Sequence, residues 1–576
     1  MFDLSNEREA VLFAKKSWLQ FEQNSSVDIR VGLAGSFTLD ALLPLLGAHL
    51  LDKGFISPKI MVAPYNQIYQ TCLNHDTTFG ESHVDAIIII WRIEDLLLAH
   101  FNSFLQGNII ALETALQEVD SLAAGISHLR SVFAGTIIVS SPPFPVNIEI
   151  SIRDLTNSKQ GGFFHRCILD RWMGCFDNQA RIHFIDLDGL QRYYGIAHVY
   201  DDRKWYLYKQ PFKEGFLFLL AEELGRLLAI GRGNGKKCIV LDCDNTLWGG
   251  IVGEDGLVGI EIGDEFPGSA FCDFQRQLLR LQRKGIYLAL ASKNNESDVW
   301  EVFEHHDAMI LKREHIAISQ IHWHSKTDSL IEIARVLNIG LDSFVFIDDS
   351  RFEIEQVQQS LPQVTCLQVP TESAYLPGML RDCHLFDQLE TTIEDRERTS
   401  MVLQEKQRQV FQKSLSNDEF IASLHLEIDV FKACPVHIAR ITQLINKTNQ
   451  FNLSTRRRSF EEVVALTKAD DYDIFALRVK DRFGEYGLVG VAIVQAKNQV
   501  WVLDTFLLSC RVLGRQVETA FLAFIVEAAK LKNITTMRGI YVPTPKNMPI
   551  ADFLPQQGFK EISSGEWEVS LVDIKA

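Results

Sequence analysis

The sequence lacks the features of membrane and nucleic-acid-binding proteins. Its longest apolar runs, such as Ala86 to Trp91 and Phe216 to Ala221, fall far short of the roughly 20 residues that span a bilayer. Lys and Arg number 57 against 74 Asp and Glu, which gives a net charge of −17 and no general basic excess for nucleic acid. We therefore predict neither a membrane span nor a nucleic-acid partner.

Cys-x-x-Cys pairs are also missing, and no leader segment is expected from the first residues. The 10 cysteines are scattered without a Cys-x-x-Cys pair, a pattern typical of reduced thiols rather than of a disulfide framework. Residues Met1 to Asn24 mix charged and apolar side chains and show no cleavage site, which predicts no signal peptide. A cytoplasmic protein is the expectation.

What is present is the composition of folded globular domains. Hydrophobic residues make up 47% and charged ones 23% of 576 residues, and that length predicts three or four domains. In residues 1–230, short apolar runs such as Ile29 to Leu33 alternate with helical stretches, which predicts an α/β domain with a parallel sheet. The glycine-rich segment Gly231 to Gly235 is the first expected boundary.

Two further domains are predicted after this boundary. Residues 231–385 again alternate strands and helices, which indicates a doubly wound, Rossmann-like sheet. The charged residues 386–419 predict a connecting helix, and residues 420–576 predict an α+β domain. The strand-like runs of the second domain are Lys237 to Leu241, Ile286 to Leu290 and Phe344 to Ile347, with a further strand expected near Met309.

The strongest chemical signal is an apolar strand that runs directly into Asp242 and Asp244, in the pattern Asp-x-Asp-x-Thr. Parallel sheets bind ligands at the carboxyl ends of their strands. There Asp242 can attack phosphorus as a nucleophile, and Asp244 can protonate the leaving oxygen and later activate water. Asp-x-Asp also occurs in turns with exposed carboxylates. The other motifs are therefore needed to distinguish a catalytic site from such a turn.

Three later segments supply groups for the same reaction. The strand ending near Leu290 is followed by a serine hydroxyl and main-chain N–H groups, a later lysine can balance charge, and a third strand ends in Asp348 and Asp349. The candidate phosphate-binding residues are Ser292, Lys293, Asn294 and Lys326.

In this order the four motifs resemble those of the haloacid dehalogenase superfamily. The resemblance implies that Asp242, the main-chain carbonyl of Asp244 and Asp348 bind Mg²⁺, with Asp349 as the alternative or supporting ligand; oxygen ligands suit such a hard cation. Only the flap from Trp248 to Pro267 is available as a cap. A minimal cap favours a substrate presented on a macromolecule or a site covered by another domain.

Longer runs narrow the resemblance to the FkbH-like family. That family is implicated in loading a glyceryl unit from 1,3-bisphosphoglycerate onto the phosphopantetheine thiol of an acyl carrier protein, for polyketide-type biosynthesis. The resemblance therefore implies a glyceryltransferase/phosphatase whose partner is an acyl carrier protein. The alternatives are a phosphatase for a free small phosphometabolite and an acyltransferase that uses coenzyme A. The matching runs are Asp242 to Gly256, Val345 to Asp349, Asn446 to Leu453 and Leu508 to Arg515.

The acyl step requires a thiolate, and two cysteines are candidates. Strand alternation turns Cys243 away from Asp242 and Asp244, which favours a packing role. Cys510 precedes an expected helix N-terminus, where a thiolate is stabilised. Cys510 is therefore the candidate for a covalent acyl role, with a buried cysteine at a strand end as the alternative.

The segment after Cys510 resembles the pyrophosphate loop of GNAT acetyltransferases. The resemblance implies that Arg511, Gly514 and Arg515 bind the phosphate of pantetheine. Gln516 departs from the pattern, because that family prefers Gly or Ala there. Arg456 to Arg458 is interpreted either as a docking surface for an acidic carrier protein or as a solvated basic face.

The N-terminal domain carries a further motif. Gly35 and Ser36 follow the first strand and resemble the nucleophile block of SGNH hydrolases. That fold places a histidine three positions after an aspartate, but here Asp202 is followed by Trp205. We therefore predict an SGNH-like domain that is non-catalytic, with a structural or carrier-binding role.

Overall fold

The chain divides into two units, Met1–Asn234 and Gly235–Ala576. Part of the expected glycine-rich boundary, residues 232–234, and the charged residues 391–397 lie outside the described residues. In the part of the chain that is described, no helix has both the length and the hydropathy to cross a membrane. The computed structural model describes residues 7–21, 27–80, 84–133, 135–145, 160–177, 179, 181–231, 235–381, 383–387, 398–412, 416–448, 450–497, 499–544 and 547–571.

The first unit is built on a five-stranded sheet with the order β2-β1-β3-β4-β5, and all its strand pairs are parallel. The central strand β3 is entirely buried, as expected when helices cover both faces. This confirms the predicted parallel α/β architecture. The strands are β1 Ile29–Gly35, β2 Pro58–Val62, β3 Ala86–Ile90, β4 Thr136–Ser140 and β5 Ile182–Ile185. The helices are Glu7–Gln20, Leu43–Asp52, Ile68–Leu73, His75–Phe79, Ile93–Leu96, Leu98–Leu105, Ile110–Val132, Gly161–Gly174, Leu187–Tyr194, Ile196–Val199, Asp202–Tyr208 and Glu214–Gly231.

The second unit begins with another parallel sheet, in the order β10-β9-β6-β7-β8. The strand expected near Met309 is wrong: Met309 is a buried loop residue, and the strand begins at Ile316. The strands are β6 Cys238–Leu241, β7 Tyr287–Ser292, β8 Ile316–Ile321, β9 Phe344–Asp348 and β10 Thr365–Gln368. The α-helices are Val252–Gly259, Gly268–Arg283, Glu296–His305, Lys326–Leu337, Arg351–Ser360 and Leu376–Arg381, and the 3-10 turns are Arg313–His315, Leu341–Ser343 and Ser373–Tyr375.

The C-terminal part of the second unit is a mainly antiparallel sheet in the order β11-β13-β14-β15-β16-β18-β17. Within it, β15 and β16 are parallel. The strands are β11 Glu427–Lys432, β12 Phe451–Asn452, β13 Tyr472–Asp481, β14 Gly484–Lys497, β15 Val500–Leu508, β16 Thr536–Ile540, β17 Lys560–Ser563 and β18 Glu566–Ser570. The α-helices are Asn417–Leu424, Ile438–Lys447, Phe460–Lys468, Val517–Leu531 and Phe553–Gln556, and the 3-10 turns are Pro435–His437, Cys510–Val512 and Met548–Ile550.

The two parallel strands of this sheet separate along their length. β15 pairs with β16 as far as Leu503, and its last two residues pair with β12 instead. The N–H of Leu453 donates to the carbonyl of Phe506 at 3.1 Å, and the carbonyl of Leu453 accepts from Val542 N–H at 2.8 Å. The short segment around β12 therefore bridges the gap between the diverging strands.

The helix Arg398–Gln412, called the connecting helix below, is bound to the C-terminal sheet by buried charges. The Nε and Nη2 atoms of Arg408 donate to the two carboxylate oxygens of Asp481 at 2.7 and 2.8 Å. Nη2 of Arg515 donates to Glu405 at 2.9 Å. On another side, Val402 packs against the core of the parallel β6–β10 sheet. The connecting helix thus contacts both domains of the second unit.

Candidate active site

Residues predicted for catalysis, for phosphate binding and for metal binding lie at the ends of three adjacent strands. Asp242 directly follows β6, Ser292 ends β7 and Asp348 ends β9. Because β6 lies between β9 and β7 in a parallel sheet, these ends meet at one edge. Lys326 is added by the helix Lys326–Leu337, which follows β8.

These four side chains contact one another and are buried. The hydroxyl of Ser292 donates to Oδ1 of Asp242 at 2.7 Å. The Nζ atom of Lys326 lies 3.1 Å from the same Oδ1 and 2.5 Å from Oδ2 of Asp348. In a water-poor environment such charge-assisted contacts are stronger than on the surface. The structure therefore brings together one predicted residue from each motif.

The electrostatics of this cluster are dominated by carboxylates. Burial alone would lower the pKa of Lys326, but the charges of Asp242 and Asp348 raise it above its ordinary value. Burial, followed by the charge of Asp242, raises the pKa of Asp348 to about 7. The same two causes raise the pKa of Asp349. One lysine thus faces three carboxyl groups. The excess of carboxyl groups favours the binding of an additional cation.

The arrangement of these carboxylates fits a divalent cation. Oxygen atoms of Asp242, Asp348 and Asp349 all lie within 4.8 Å of one another. Within the described residues, the carboxylate of Asp244 is not a member of this group. An all-oxygen donor set with excess negative charge is what Mg²⁺ prefers. The carboxylates of Asp242, Asp348 and Asp349 therefore suit the metal, and the main-chain oxygen of Asp244 stays a predicted ligand.

The carboxylate of Asp244 is held by donors from the flap and from the loop after β7. Its Oδ1 accepts from Trp248 Nε1 at 2.9 Å and from Val252 N–H at 3.0 Å. Its Oδ2 accepts from the amide of Asn294 at 2.8 Å. The first residues of the flap therefore fix the proposed acid/base. Sequence reasoning missed the role of Trp248, although it stands within the recognised motif.

Two predicted phosphate-binding residues are engaged by other protein groups. The amide of Asn294 donates to Asp244 and to the hydroxyl of Ser292, at 2.8 and 3.2 Å. Nζ of Lys293 lies 2.6 Å from the carboxylate of Glu353, on the helix Arg351–Ser360. Their phosphate-binding roles stay predictions, and each requires an existing contact to open. Glu353 was not singled out from the sequence.

We expect Asn294→Ala to lower kcat for a phosphate monoester by roughly 10- to 100-fold. The change removes a hydrogen bond to a charged group, an interaction worth about 1.5–3 kcal/mol. Steady-state hydrolysis of p-nitrophenyl phosphate measures the effect. The matched control is Asn295→Ala, because that amide donates to Asp298 at 3.0 Å instead. Equal losses in both variants would exclude a specific role for Asn294.

The two cysteine candidates differ in their surroundings. Cys243 is fully buried in the core, and burial raises the pKa of its thiol well above the ordinary value. Cys510 begins the 3-10 turn Cys510–Val512, and the long helix starts only at Val517. The expected position at the N-terminus of that helix is therefore wrong. The side chain of Cys510 lies outside the described residues, so its acyl role stays a prediction.

The arginines of the predicted pantetheine-binding loop contact the connecting helix. Arg515 donates to Glu405 at 2.9 Å and to the hydroxyl of Tyr486 at 2.8 Å, and Arg511 donates to Sδ of Met401 at 2.7 Å. Gly514 adopts a left-handed backbone with φ of 72°. Pantetheine binding by these arginines stays a prediction and would require the present contacts to rearrange.

In the first unit, Ser36 is buried at the end of β1. Its hydroxyl donates to Oδ2 of Asp95 at 2.7 Å and accepts from Arg92 N–H at 3.2 Å. The guanidinium of Arg92 also binds Asp95, at 2.6 Å, and lies 4.6 Å from the ring of Trp205. Among the described residues the hydroxyl contacts Asp95 and Arg92, and no histidine contact of Ser36 is found. A non-catalytic role for Ser36 stays the prediction.

Fold and site together define a multi-domain α/β protein whose central domain carries a cluster of carboxylates at the carboxyl edge of a parallel five-stranded sheet. No family model and no curated protein matches the sequence. Among solved structures, the N-terminal part of the protein BF1531 from Bacteroides fragilis, containing a phosphatase domain complexed with Mg, matches with a TM-score of 0.57 and 24% identity. The match covers 67% of this chain and 99% of that chain, and it establishes a shared fold.

Acetyltransferases also match, over a smaller part of the chain. The ribosomal-protein-S18-alanine N-acetyltransferase from Escherichia coli has a TM-score of 0.21 and 9% identity, covering 25% of this chain and 94% of its own. An acetyltransferase of the GNAT family from Staphylococcus aureus Mu50 has a TM-score of 0.21 and 13% identity, covering 25% and 99%. TM-scores this low do not establish a shared fold.

Proposed function

We propose that the chain is an FkbH-like enzyme of the haloacid dehalogenase superfamily, a glyceryltransferase/phosphatase that forms glyceryl-acyl carrier protein from 1,3-bisphosphoglycerate. The observation that carries the proposal is the buried contact of Asp242 with Ser292 and Lys326, beside Asp348. The fold shared with a protein whose phosphatase domain is complexed with Mg supports it.

Removal of the phosphate ester uses the Asp242 cluster. The carboxylate of Asp242 forms a bond to phosphorus while the ester P–O bond breaks, and Asp244 gives a proton to the leaving alkoxide. Water then attacks the aspartyl phosphate, Asp244 accepts its proton, and inorganic phosphate leaves with the carboxylate restored. Ser292 and Lys326 contact the oxygen of Asp242, which supports the proposal that they bind the phosphoryl oxygens.

In this proposal Asp242, Asp348, Asp349 and the main-chain oxygen of Asp244 hold Mg²⁺. The cation supplies charge compensation for the phosphoryl group. Lys326 remains with the first two carboxylates and offsets part of their repulsion. The raised pKa of Asp348 reflects that repulsion and burial.

The acyl step joins the three-carbon unit to the carrier. A thiolate attacks the carbonyl carbon of the acyl phosphate, so a C–S bond forms, the C–O bond to phosphate breaks and phosphate departs. Attack by the carrier thiolate forms the carrier thioester in one step, and hydrolysis of the remaining phosphate ester at Asp242 completes the glyceryl product. If Cys510 attacks first, the carrier thiol must then displace it from the thioester, which releases the cysteine thiolate. We assign this step to the C-terminal domain.

The test is intact-protein mass spectrometry of a phosphopantetheinylated carrier protein after incubation with the full chain, Mg²⁺ and freshly generated 1,3-bisphosphoglycerate. We expect a phosphate-free glyceryl adduct with the native chain and none with Asp242→Asn, because the ester phosphate then remains. Cys510→Ala distinguishes the direct route from the two-step route. Absence of any adduct while phosphate is released would contradict carrier loading.

That last outcome would favour a second function, hydrolysis of a free small phosphometabolite. The specific observation behind it is the engagement of Arg515 by Glu405 and Tyr486, which occupies a predicted pantetheine contact. Phosphate release without any carrier protein separates the two functions. A coenzyme A-dependent acyltransferase has less support, since it gives no role to the Asp242 cluster.

A further inference from the structure

The loop after β12, residues 454–458, lies where β15 leaves β16. Thr455 in this loop has a φ of 51°, a left-handed backbone that β-branched residues rarely adopt. Its N–H donates to the side-chain oxygen of Asn452 at 2.9 Å, and Asn452 is itself fully buried. The loop is therefore held in an unfavourable conformation by its surroundings, as often occurs at binding sites.

Below this loop, a β-bulge presents Asp504. In the register of β14 and β15, Ile493 pairs with Thr505 and Val494 pairs with Leu503, so Asp504 is the extra residue. A bulge of this kind redirects a side chain out of the regular alternation. The redirected carboxylate is only 9% exposed, and it is the anchor for two arginines of the loop.

Two arginines of the loop bind the single carboxylate of Asp504. Arg456 Nη1 donates to Asp504 Oδ1 at 2.8 Å, and Arg458 Nη2 donates to Oδ2. The hydroxyl of Thr505 donates to the same Oδ2 at 3.1 Å. Two guanidinium charges therefore face one carboxylate charge, which leaves an excess of one positive charge in a largely buried cluster.

Two buried polar atoms of the cluster also have no hydrogen-bond partner among the described residues. They are Nε of Arg458 and the hydroxyl of Ser454. Arg458 is 6% exposed, whereas the side chain of Arg456 is 57% exposed and keeps one side of the cluster accessible. Buried donors are normally paired. A cluster with an excess positive charge and two polar atoms that lack a partner among the described residues is suited to bind an oxyanion.

We propose that Ser454, Arg456 and Arg458, supported by Asp504, form a binding site for a phosphate group. Guanidinium groups bind phosphate oxygens with paired, directional N–H donors, and a serine hydroxyl adds a third. The inference goes beyond the proposed function, because it holds for any reaction at Asp242. It also revises the view of Arg456 to Arg458 as a plain docking surface, since Arg458 is buried.

Calorimetric titration of the full chain without divalent cations tests the site. The probes are inorganic phosphate, 3-phosphoglycerate and 4′-phosphopantetheine. We expect Arg456→Gln to weaken phosphate binding at this site by about tenfold or more, and Ser454→Ala by several-fold, because each removes one donor. The matched control, Arg538→Gln, should bind like the native chain, since Arg538 pairs with Glu568 elsewhere on the sheet.

The position of the site is tested with crystals soaked in selenate. An anomalous peak beside Arg456 and Arg458 supports the proposal, whereas a peak confined to Ser292 and Lys326 would overturn it. Unchanged titrations in both loop variants would also overturn it. Ser454→Ala removes a hydroxyl that has no partner in the described part of the chain, so circular dichroism should show a folded protein.

The three probes separate the sources of the phosphate group. Equal affinity for all three assigns the site to free phosphate or small phosphate esters, and preference for 4′-phosphopantetheine assigns it to a carrier arm. Either result supports a phosphate site. Asp242→Asn should lose hydrolysis of p-nitrophenyl phosphate while phosphate binding at the Arg456 site is retained, so failure of this site and failure of the Asp242 chemistry are distinguishable.

Discussion

Asp242→Asn should reduce the turnover of phosphate monoesters by about 10⁴-fold or more, the scale seen when a catalytic nucleophile is removed. The asparagine amide cannot form the aspartyl phosphate. It also replaces a charged acceptor of Ser292 and Lys326 by a neutral one. Steady-state hydrolysis of p-nitrophenyl phosphate with saturating Mg²⁺ measures the loss.

The control for this substitution is Asp273→Asn. Asp273 lies on the helix Gly268–Arg283 of the same domain and forms an exposed pair with Arg276, so its loss should leave kcat unchanged. Near-native activity of Asp242→Asn would show that the phosphatase-like domain is only a scaffold. That result would favour an acyltransferase in which the Asp242 cluster has no chemical role.

Arg408→Met is expected to destabilise the C-terminal domain by about 3–5 kcal/mol, the usual cost of breaking a buried ion pair by removing one partner. Asp481 would keep its carboxylate in the interior without its guanidinium partner. Among the described residues, the hydroxyl of Tyr486 and the main-chain N–H groups of Phe483 and Gly484 would still donate to it.

Hydrogen exchange of β13 and β14 in increasing urea measures this loss by domain, because a multi-domain chain does not unfold in one transition. Arg335→Met is the matched control, since Arg335 pairs with Glu332 on the surface and such pairs contribute little. The double variant Arg408→Met/Asp481→Asn should cost less than the two single changes added together. Equal, small effects of Arg408→Met and Arg335→Met would contradict the role given to the buried pair.

Periodicity predicted the strands that consist of uninterrupted buried apolar residues. β3 and β9 are entirely buried, so their sequences show the expected runs. β2 starts with a proline and is only partly buried, and β8 includes Ser319 and Gln320. Neither β2 nor β8 has a clear apolar run. For this reason β2 was not predicted, and β8 was expected at the wrong position.

The grouping of Asp242, Ser292 and Asp348 could be predicted in part, because parallel strands place their carboxyl ends at one edge of a sheet. Their roles were predicted from the resemblance of the four motifs to those of the haloacid dehalogenase superfamily. Ion pairs between distant segments follow no local spacing. Glu405 could not be assigned to Arg515 from the sequence, because nothing in either segment specifies which helix packs against which loop. The bulge at Asp504 could not be predicted either, because the register of β14 and β15 is not specified by the sequence of β15 alone.

The position of the connecting helix also changes where the C-terminal domain should be cut for study alone. A fragment that starts at residue 420 would leave out Arg408 and Glu405, and it would expose the buried carboxylate of Asp481 and the guanidinium of Arg515. A fragment that starts at Arg398 retains both pairs. By its interior contacts, the helix predicted as a connection between two domains is the first helix of the domain that follows it.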